Sequence, residues 1–258
     1  MVKNFLNEVM VKKPTTANPF DALVKQIESG YLAVGEPEFK TKKNFSPSSL
    51  VYGSGACPRY WHLAFTGAVY IPDNGANPTQ IASMRNGTLS HERIQNAMRA
   101  SGVLKDSEVK IISDDPPIYA FADAIIEWNG ETYVGEIKTV RTEAFEYRKA
   151  SGKPTDYHVK QLLIYMREKK IDKGLLIYED KNSHELLILP VEMTPERSAW
   201  LDQLYAWMRE VHKAWKKGKL AQKPYRSNSK VCKDCPLQPV CAASPAGDVK
   251  IDKLAELS

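Results

Sequence analysis

The sequence predicts an α/β fold, and three observations carry that reading. The stretch 119–139, YAFADAIIEWNGETYVGEIKT, places two runs rich in β-branched and aromatic residues on either side of Asn129-Gly130. That dipeptide tolerates the positive φ angles of a two-residue type I′ turn, so the stretch reads as a hairpin. Further strand-like runs stand at 108–113, 174–179 and 185–191. Helical stripes alternate with them: Val159, Leu162, Leu163 and Met166 follow a Thr155 cap and run to about Lys170, while Leu201, Leu204, Met208, Val211 and Trp215 follow Thr194-Pro195-Glu196. Strands and helices in this order bury their apolar faces against one another.

The hairpin also carries chemistry. With Asn129 and Gly130 as the loop, Trp128 faces Glu131, Ile126 faces Tyr133 and Asp123 falls opposite Glu136. Directly opposed residues have Cβ atoms about 4.5–5.5 Å apart, where two carboxylates repel. A hard cation such as Mg²⁺ or Mn²⁺ removes the conflict. Lys138, two residues beyond Glu136, shares its face. An Asp, a Glu and a Lys around one cation suit phosphodiester hydrolysis. The competing reading is a plain hairpin whose charges face water. Apolar residues on both faces argue against it: Ile125 and Val134 on the acidic face, Ala124, Ile126, Tyr133 and Ile137 on the other. A β-bulge would shift the count.

At 258 residues the chain is expected to form a single domain, 1–258, with peripheral additions. Composition is that of a soluble globule, with 43% hydrophobic and 26% charged residues, and the longest apolar runs, LLIYM and ELLILPV, are too short to span a bilayer. No membrane association is expected. The opening MVKNFLNEVMVKK lacks the apolar core of a secretory signal, which points to a cytoplasmic, reducing location. There, four cysteines serve as metal or cluster ligands more often than as disulfides. The net charge of +5 is compatible with nucleic acid and decides nothing alone.

In chain order, Asn18-Pro19 opens a short amphipathic helix carrying Phe20, Leu23, Val24 and Ile27, with Gly30 as its stop and 31–47 as loop. Cys57-Pro58 begins an aromatic-rich helix with proline in the first turn. Residues 78–101 read as a helix with Ile81, Met84, Leu89, Ile94 and Met98 on its apolar side, Gly87 weakening its middle, and His91 aboard. A lone helical histidine is more often a surface or satisfied core group than a ligand. Gln161 and Tyr165, four apart, are neighbours on one helix, and the bland reading is a solvated Gln beside a half-buried Tyr. The helix from Thr194 ends at Gly218. Between Arg209 and Lys233 stand nine Lys/Arg and one acidic residue, a stretch that could follow a phosphate backbone or simply be a solvated basic face.

Cys232, Cys235 and Cys241 are spaced C-x2-C-x5-C, and the remaining cysteine, Cys57, lies 174 intervening residues upstream. Structural zinc usually takes its thiolates as two close pairs, whereas three-plus-one spacing is more typical of a 4Fe–4S cluster. The spacing, taken together with the family resemblance given below, favours the cluster and leaves structural Zn²⁺ as the alternative. On the polymer model, cross-linking so long a loop restricts the unfolded chain by roughly 4–5 kcal/mol.

Taken in order, Cys57, His91, Asp123, Glu136-Ile137-Lys138, Gln161…Tyr165 and the three late cysteines resemble the RecB-like branch of the PD-(D/E)XK nucleases, over about residues 46–241. The nearest resemblance is to its iron–sulfur members, the CRISPR-associated RecB-like exonucleases and the AddB nuclease domain. The resemblance implies a restriction-endonuclease-like core, a central mixed sheet flanked by helices, at about 78–192. It implies an Fe–S clamp joining cluster-binding flanks at about 46–66 and 220–245. His91, Asp123, Glu136 and the Ile137 carbonyl would ligate Mg²⁺ or Mn²⁺, Lys138 would be the catalytic lysine, and Gln161 and Tyr165 would support the site and contact DNA. The family proline is absent, since Ala122 precedes Asp123.

The implied activity is that of a metal-dependent deoxyribonuclease, an exonuclease on single-stranded DNA or duplex ends in recombination, repair, phage DNA metabolism or CRISPR adaptation. Its partners would be DNA and, alongside it, a helicase, recombinase or CRISPR integrase, since no helicase motif is present. The alternatives are a DNA-binding accessory subunit of a recombination or spacer-acquisition complex, and a structure-specific endonuclease.

Overall fold

The computed structural model describes residues 19–34, 41–68 and 78–257. These residues fall in two compact units, one drawn from 1–38 and 74–85, the other from 39–73 and 86–258. In the first unit α1 spans Asp21–Val34. It runs through Gly30, the expected stop, because one glycine costs a helix only about 1 kcal/mol. Leu23, Val24 and Ile27 are exposed along it.

The second unit holds the sheet. Helix α2 (Pro47–Leu50) begins at the last residue of the stretch expected as loop, and α3 (Pro58–Phe65) begins at Pro58 as expected. Helix α4 (Pro78–Ala100) contributes its residues 86–100 to this unit. Then come β1 (Leu104–Asp114), β2 (Pro117–Trp128), β3 (Glu131–Val140), α5 (Thr142–Ser151), α6 (Asp156–Lys169), β4 (Lys173–Asp180), β5 (Leu186–Glu192) and α7 (Pro195–Lys216). Two short helices, α8 (Lys230–Lys233) and α9 (Gln238–Ala243), carry the late cysteines. The strands lie in the order β1-β2-β3-β4-β5. All neighbours are antiparallel except β3 and β4, which are parallel and joined by the crossover through α5 and α6. The sheet is therefore mixed, as the resemblance implied. Among the described residues, no helix is long and apolar enough to cross a membrane.

The turn behaves as its sequence dictates. Asn129 and Gly130 take φ of 52° and 79°, and Trp128 pairs with Glu131 and Ile126 with Tyr133. On one face, Leu162 and Leu163 of α6 and Leu201, Leu204 and Met208 of α7 belong to the same buried core as Ile125 and Val134. On the other, Ile94 of α4 packs with Ala124, Ile126, Ile137 and Ile177, and Met98 flanks them. The apolar stripe expected on α4 is narrower than its sequence implied, because Met84 and Leu89 are exposed. The stripe that meets the sheet runs through Gly87, His91, Ile94 and Met98, at helical spacing; a Cβ on Gly87 would lie 3.8 Å from Thr139 Oγ1.

Helix α6 is tied to β4 by a buried polar contact. The Tyr178 hydroxyl accepts from Thr155 N at 3.2 Å and sits 3.0 Å from His158 Nδ1, so it donates to a neutral imidazole. Burial first, then the charges of Lys138 and Arg148, pushes the His158 pKa down to about 3. Its folded pKa lies below the unfolded value near 6.5, so its contribution is complete above pH 6.5 and is lost progressively as pH falls toward 3. His158→Gln, whose carbonyl can still accept from Tyr178, is expected to flatten the fall in stability between pH 6.5 and 4 by an amount on the order of a few kcal/mol. Denaturant melts of both proteins across that range check it.

Candidate active site

The site lies where β2 and β3 part. Their ladder runs from Trp128/Glu131 to Ala124/Gly135 and stops one pair short of Asp123 and Glu136. There the Asp123 side chain replaces a backbone acceptor: its Oδ2 accepts from the Ile137 N–H at 2.7 Å. β3 continues, because its other edge stays paired with β4 through Glu136/Leu176 and Lys138/Tyr178. The edge of β2 that β3 leaves is taken up by Phe45, whose N–H donates to Pro117 O at 2.7 Å and whose carbonyl accepts from Tyr119 N at 3.2 Å. The register count thus holds to the last pair, and the two carboxylates stand at a fork in the sheet.

A further acid joins them. On β1, Ser107 pairs with Ala124 and Val109 with Ala122, which sets Glu108, at φ 50°, across from Asp123. His91 Nδ1 lies 3.4 Å from Asp123 Oδ1. Gln95, on the next turn of α4, donates to Glu108 Oε1 at 2.8 Å and to the Asp123 carbonyl at 2.9 Å. Donor atoms of His91, Glu108 and Asp123 all lie within 4.8 Å of one another, a group able to hold a metal ion. Sequence reasoning missed Glu108. The signal existed: Asp115-Pro116 is a two-residue loop between Asp114 and Pro117, and counting back from it brings Glu108 to Asp123.

Glu136 is 1% exposed. Lys138 Nζ lies 2.5 Å from its Oε1, and Gln161 Nε2 donates to the same oxygen at 2.7 Å while sitting 2.8 Å from the Tyr165 hydroxyl. Gln161 and Tyr165 are therefore both buried and both at the site, against the bland reading of a solvated pair. The other oxygen, Oε2, is buried with no hydrogen-bond partner. Burial first, then the charge of Asp123, pushes the Glu136 pKa up to about 8 in spite of Lys138. His91 is shifted up as well: burial alone would lower it, but the hydrogen bond and charge of Asp123 outweigh that. His91, Glu108 and Asp123 are a donor set that a divalent cation fits, and the orphaned oxygen belongs to Glu136, whose carboxyl feels the charges of Asp123 and His91. Ile137 lies on the strand between Glu136 and Lys138, with its side chain fully buried.

The cysteines form a separate centre. Cys57, at the start of α3, and Cys232, Cys235 and Cys241 line one cavity with Tyr60 and Leu63, and all four are unbridged and half-buried. Burial, reinforced by Cys235 and Cys241, pushes the Cys57 thiol up to about 11. The fold thus brings cysteines separated by 174 intervening residues to one place.

No family profile and no curated protein matches the sequence. Among solved structures, the alkaline exonuclease LHK-Exo from Laribacter hongkongensis superposes with a TM-score of 0.52 at 14% identity, over 73% of this chain and 95% of that one. LHK-Exo in complex with dAMP gives 0.51 at 17% identity, over 67% and 90%. A structure of SSO0001 gives 0.49 at 20% identity, over 87% and 98%. The likeness to LHK-Exo is one of fold. It agrees with the mixed five-stranded sheet flanked by helices.

The orphaned oxygen generates a prediction. Mg²⁺ or Mn²⁺ added to chelator-stripped protein is expected to raise its stability, by about 2.7 kcal/mol at a hundred times Kd. Glu136→Gln should abolish the increment. Thermal melts with and without cation check this, and an equal increment in the variant would put the cation elsewhere.

Proposed function

We propose that this chain is a divalent-metal-dependent DNA exonuclease of the RecB-like PD-(D/E)XK branch, acting on single strands or duplex ends. The observation that carries the reading is the fork itself, with Asp123, Glu136 and Lys138 converging there in a fold shared with an alkaline exonuclease. That LHK-Exo binds dAMP supports DNA as the substrate class.

In this reading His91, Asp123, Glu136 and the Ile137 carbonyl hold the cation, with Glu108 as a further acid beside them. When bound, Mg²⁺ or Mn²⁺ supplies a Lewis acid for the phosphodiester and its attacking water. Lys138 places a positive charge where negative charge develops on phosphorus oxygens. Gln161, braced by Tyr165, fixes Glu136 so that one oxygen is occupied and the other points away from the protein donors.

The reading extends to the cysteines as ligands of a structural 4Fe–4S cluster, with Zn²⁺ as the alternative. One observation supports an anionic thiolate centre of either kind. The Arg59 side chain is wholly buried, and its guanidinium meets carbonyls of Ala221, Pro245 and Ala246 while Nε lies 3.2 Å from Cys241 Sγ; among the described residues no carboxylate pairs with it. A buried cation needs a counter-charge, and thiolates around a metal supply one.

Asp123→Ala, Glu136→Ala and Lys138→Ala are each expected to lower DNA hydrolysis by at least about 100-fold with binding retained, and Gln161→Ala to lower kcat more than metal affinity. Full activity of Lys138→Ala on end-labelled single strands would remove the lysine from the mechanism. Degradation of circular single strands at the linear rate would instead favour an endonuclease.

Anaerobically purified protein is expected to be brown and to contain iron and sulfide. Cys57→Ser should release the iron and lower the melting temperature without altering any residue of the acidic site. Stoichiometric zinc without iron would replace the cluster by Zn²⁺.

A further inference from the structure

Beyond the fork, the outer face of the β1–β2 hairpin carries a patch that the proposed chemistry does not use. Ile112, Tyr119 and Phe121 are 55%, 43% and 41% exposed. Single exposed apolar side chains are ordinary, but these three are contiguous. Ile112 pairs directly with Tyr119, Lys110 pairs directly with Phe121, and the two rings meet edge to face at 5.5 Å. Lys110 Nζ stands 5.6 Å from the Tyr119 ring centroid.

The patch is rigidly mounted. Tyr119 is held on one edge by the β1 ladder and on the other by the Phe45 carbonyl. Phe121 is two residues from Asp123, and Tyr119 four, so strand rise puts them about 7 and 13 Å from the acidic site. Lys110 likewise stands two residues from Glu108. Beyond the patch, the charge of Asp115 at the hairpin tip is matched by Arg209 at 2.8 Å.

We propose that Tyr119 and Phe121 form a stacking platform for the bases of a single DNA strand that enters the Asp123–Glu136 fork, with Lys110 paired to its backbone. The proposal rests on the nuclease reading of that fork and names how its substrate is led in. Stacking on aromatic faces beside a cation is sequence-tolerant, because every base has a π-face. Continuity with the fork and the positive charge on the patch select nucleic acid over another apolar occupant. A second copy of the chain docking by strand addition is disfavoured, since Lys169 Nζ caps the Lys110 carbonyl on the outer edge of β1 at 2.6 Å and a bulge interrupts that strand.

The test is a binding measurement that needs no turnover. In an Asp123→Ala background with Ca²⁺, a fluorescent oligothymidylate is titrated against the parent, Tyr119→Ala, Phe121→Ala, the double variant and Phe121→Trp. Loss of each ring should weaken binding by about tenfold, Phe121→Trp should restore it, and a blunt duplex of equal length should lose far less. Because both side chains are exposed, melting temperatures should be unchanged. Undiminished binding by the double variant overturns the platform. So does a parent that sediments as a dimer and a double variant that sediments as a monomer, which would make the patch a contact between copies. If protein with Asp123 intact hydrolyses no DNA while the ring variants still lose oligothymidylate, the nuclease reading falls and the platform stands.

Discussion

The structure turns on a single unfavourable burial. Glu136 sits inside the protein with one oxygen committed to Lys138 and Gln161 and the other to nothing, and Asp123 stands beside it across the fork. An ionised carboxylate in such a place costs several kcal/mol if left uncompensated, and the upward shift of its pKa to about 8 is that cost expressed as proton affinity. Nothing in a purely structural account rewards keeping it. A protein that needed only a stable hairpin would continue the ladder through position 136 with an apolar pair.

What keeps the arrangement in place is the layer beneath it. Helix α6 can bring Gln161 to Glu136 only by lying close on the sheet. Gly174 permits this: a Cβ there would come within 2.7 Å of Met166 Sδ and 2.9 Å of Leu162 Cδ2. Val159, Leu162, Leu163 and Met166 bury the helix against the strands, and the Tyr178 hydroxyl pins its first turn through Thr155 and His158. The polar pair Gln161 and Tyr165 is thus oriented by apolar contacts on either side of it. This preorganisation is why a glutamine that would be solvated on an isolated helix is buried here.

The parts of this design that are local were legible in the sequence. Asn129-Gly130 fixed the register of β2 and β3, and the stripes of α6 and α7 announced their buried faces. Other features were not. The fork depends on Asp123 outcompeting a backbone carbonyl for the Ile137 N–H, which no strand pattern records. Glu108 belongs to the site through a second hairpin whose turn, Asp115-Pro116, lacks the glycine signal that marks the first. Counting apolar positions on α4 overstated its contact face, because Leu89 has the right residue type at the wrong angle. Helix α5, with no strong stripe of its own, buries Phe145 alone and left no periodic trace.

The thiol cavity and the acidic fork share no residue, yet a chain of packed rings joins them. Cys57 caps the start of α3, and α3 carries Trp61 and Phe65, whose rings lie 4.8 and 5.0 Å from that of Phe45. Phe45 in turn supplies the two backbone hydrogen bonds that occupy β2 where β3 has left it. Without those bonds the edge of β2 at Pro117 and Tyr119 would expose unpaired N–H and C=O groups, several residues along the strand from the fork. Phe45 thus links α3, which begins after Cys57, to the edge of β2 that β3 leaves.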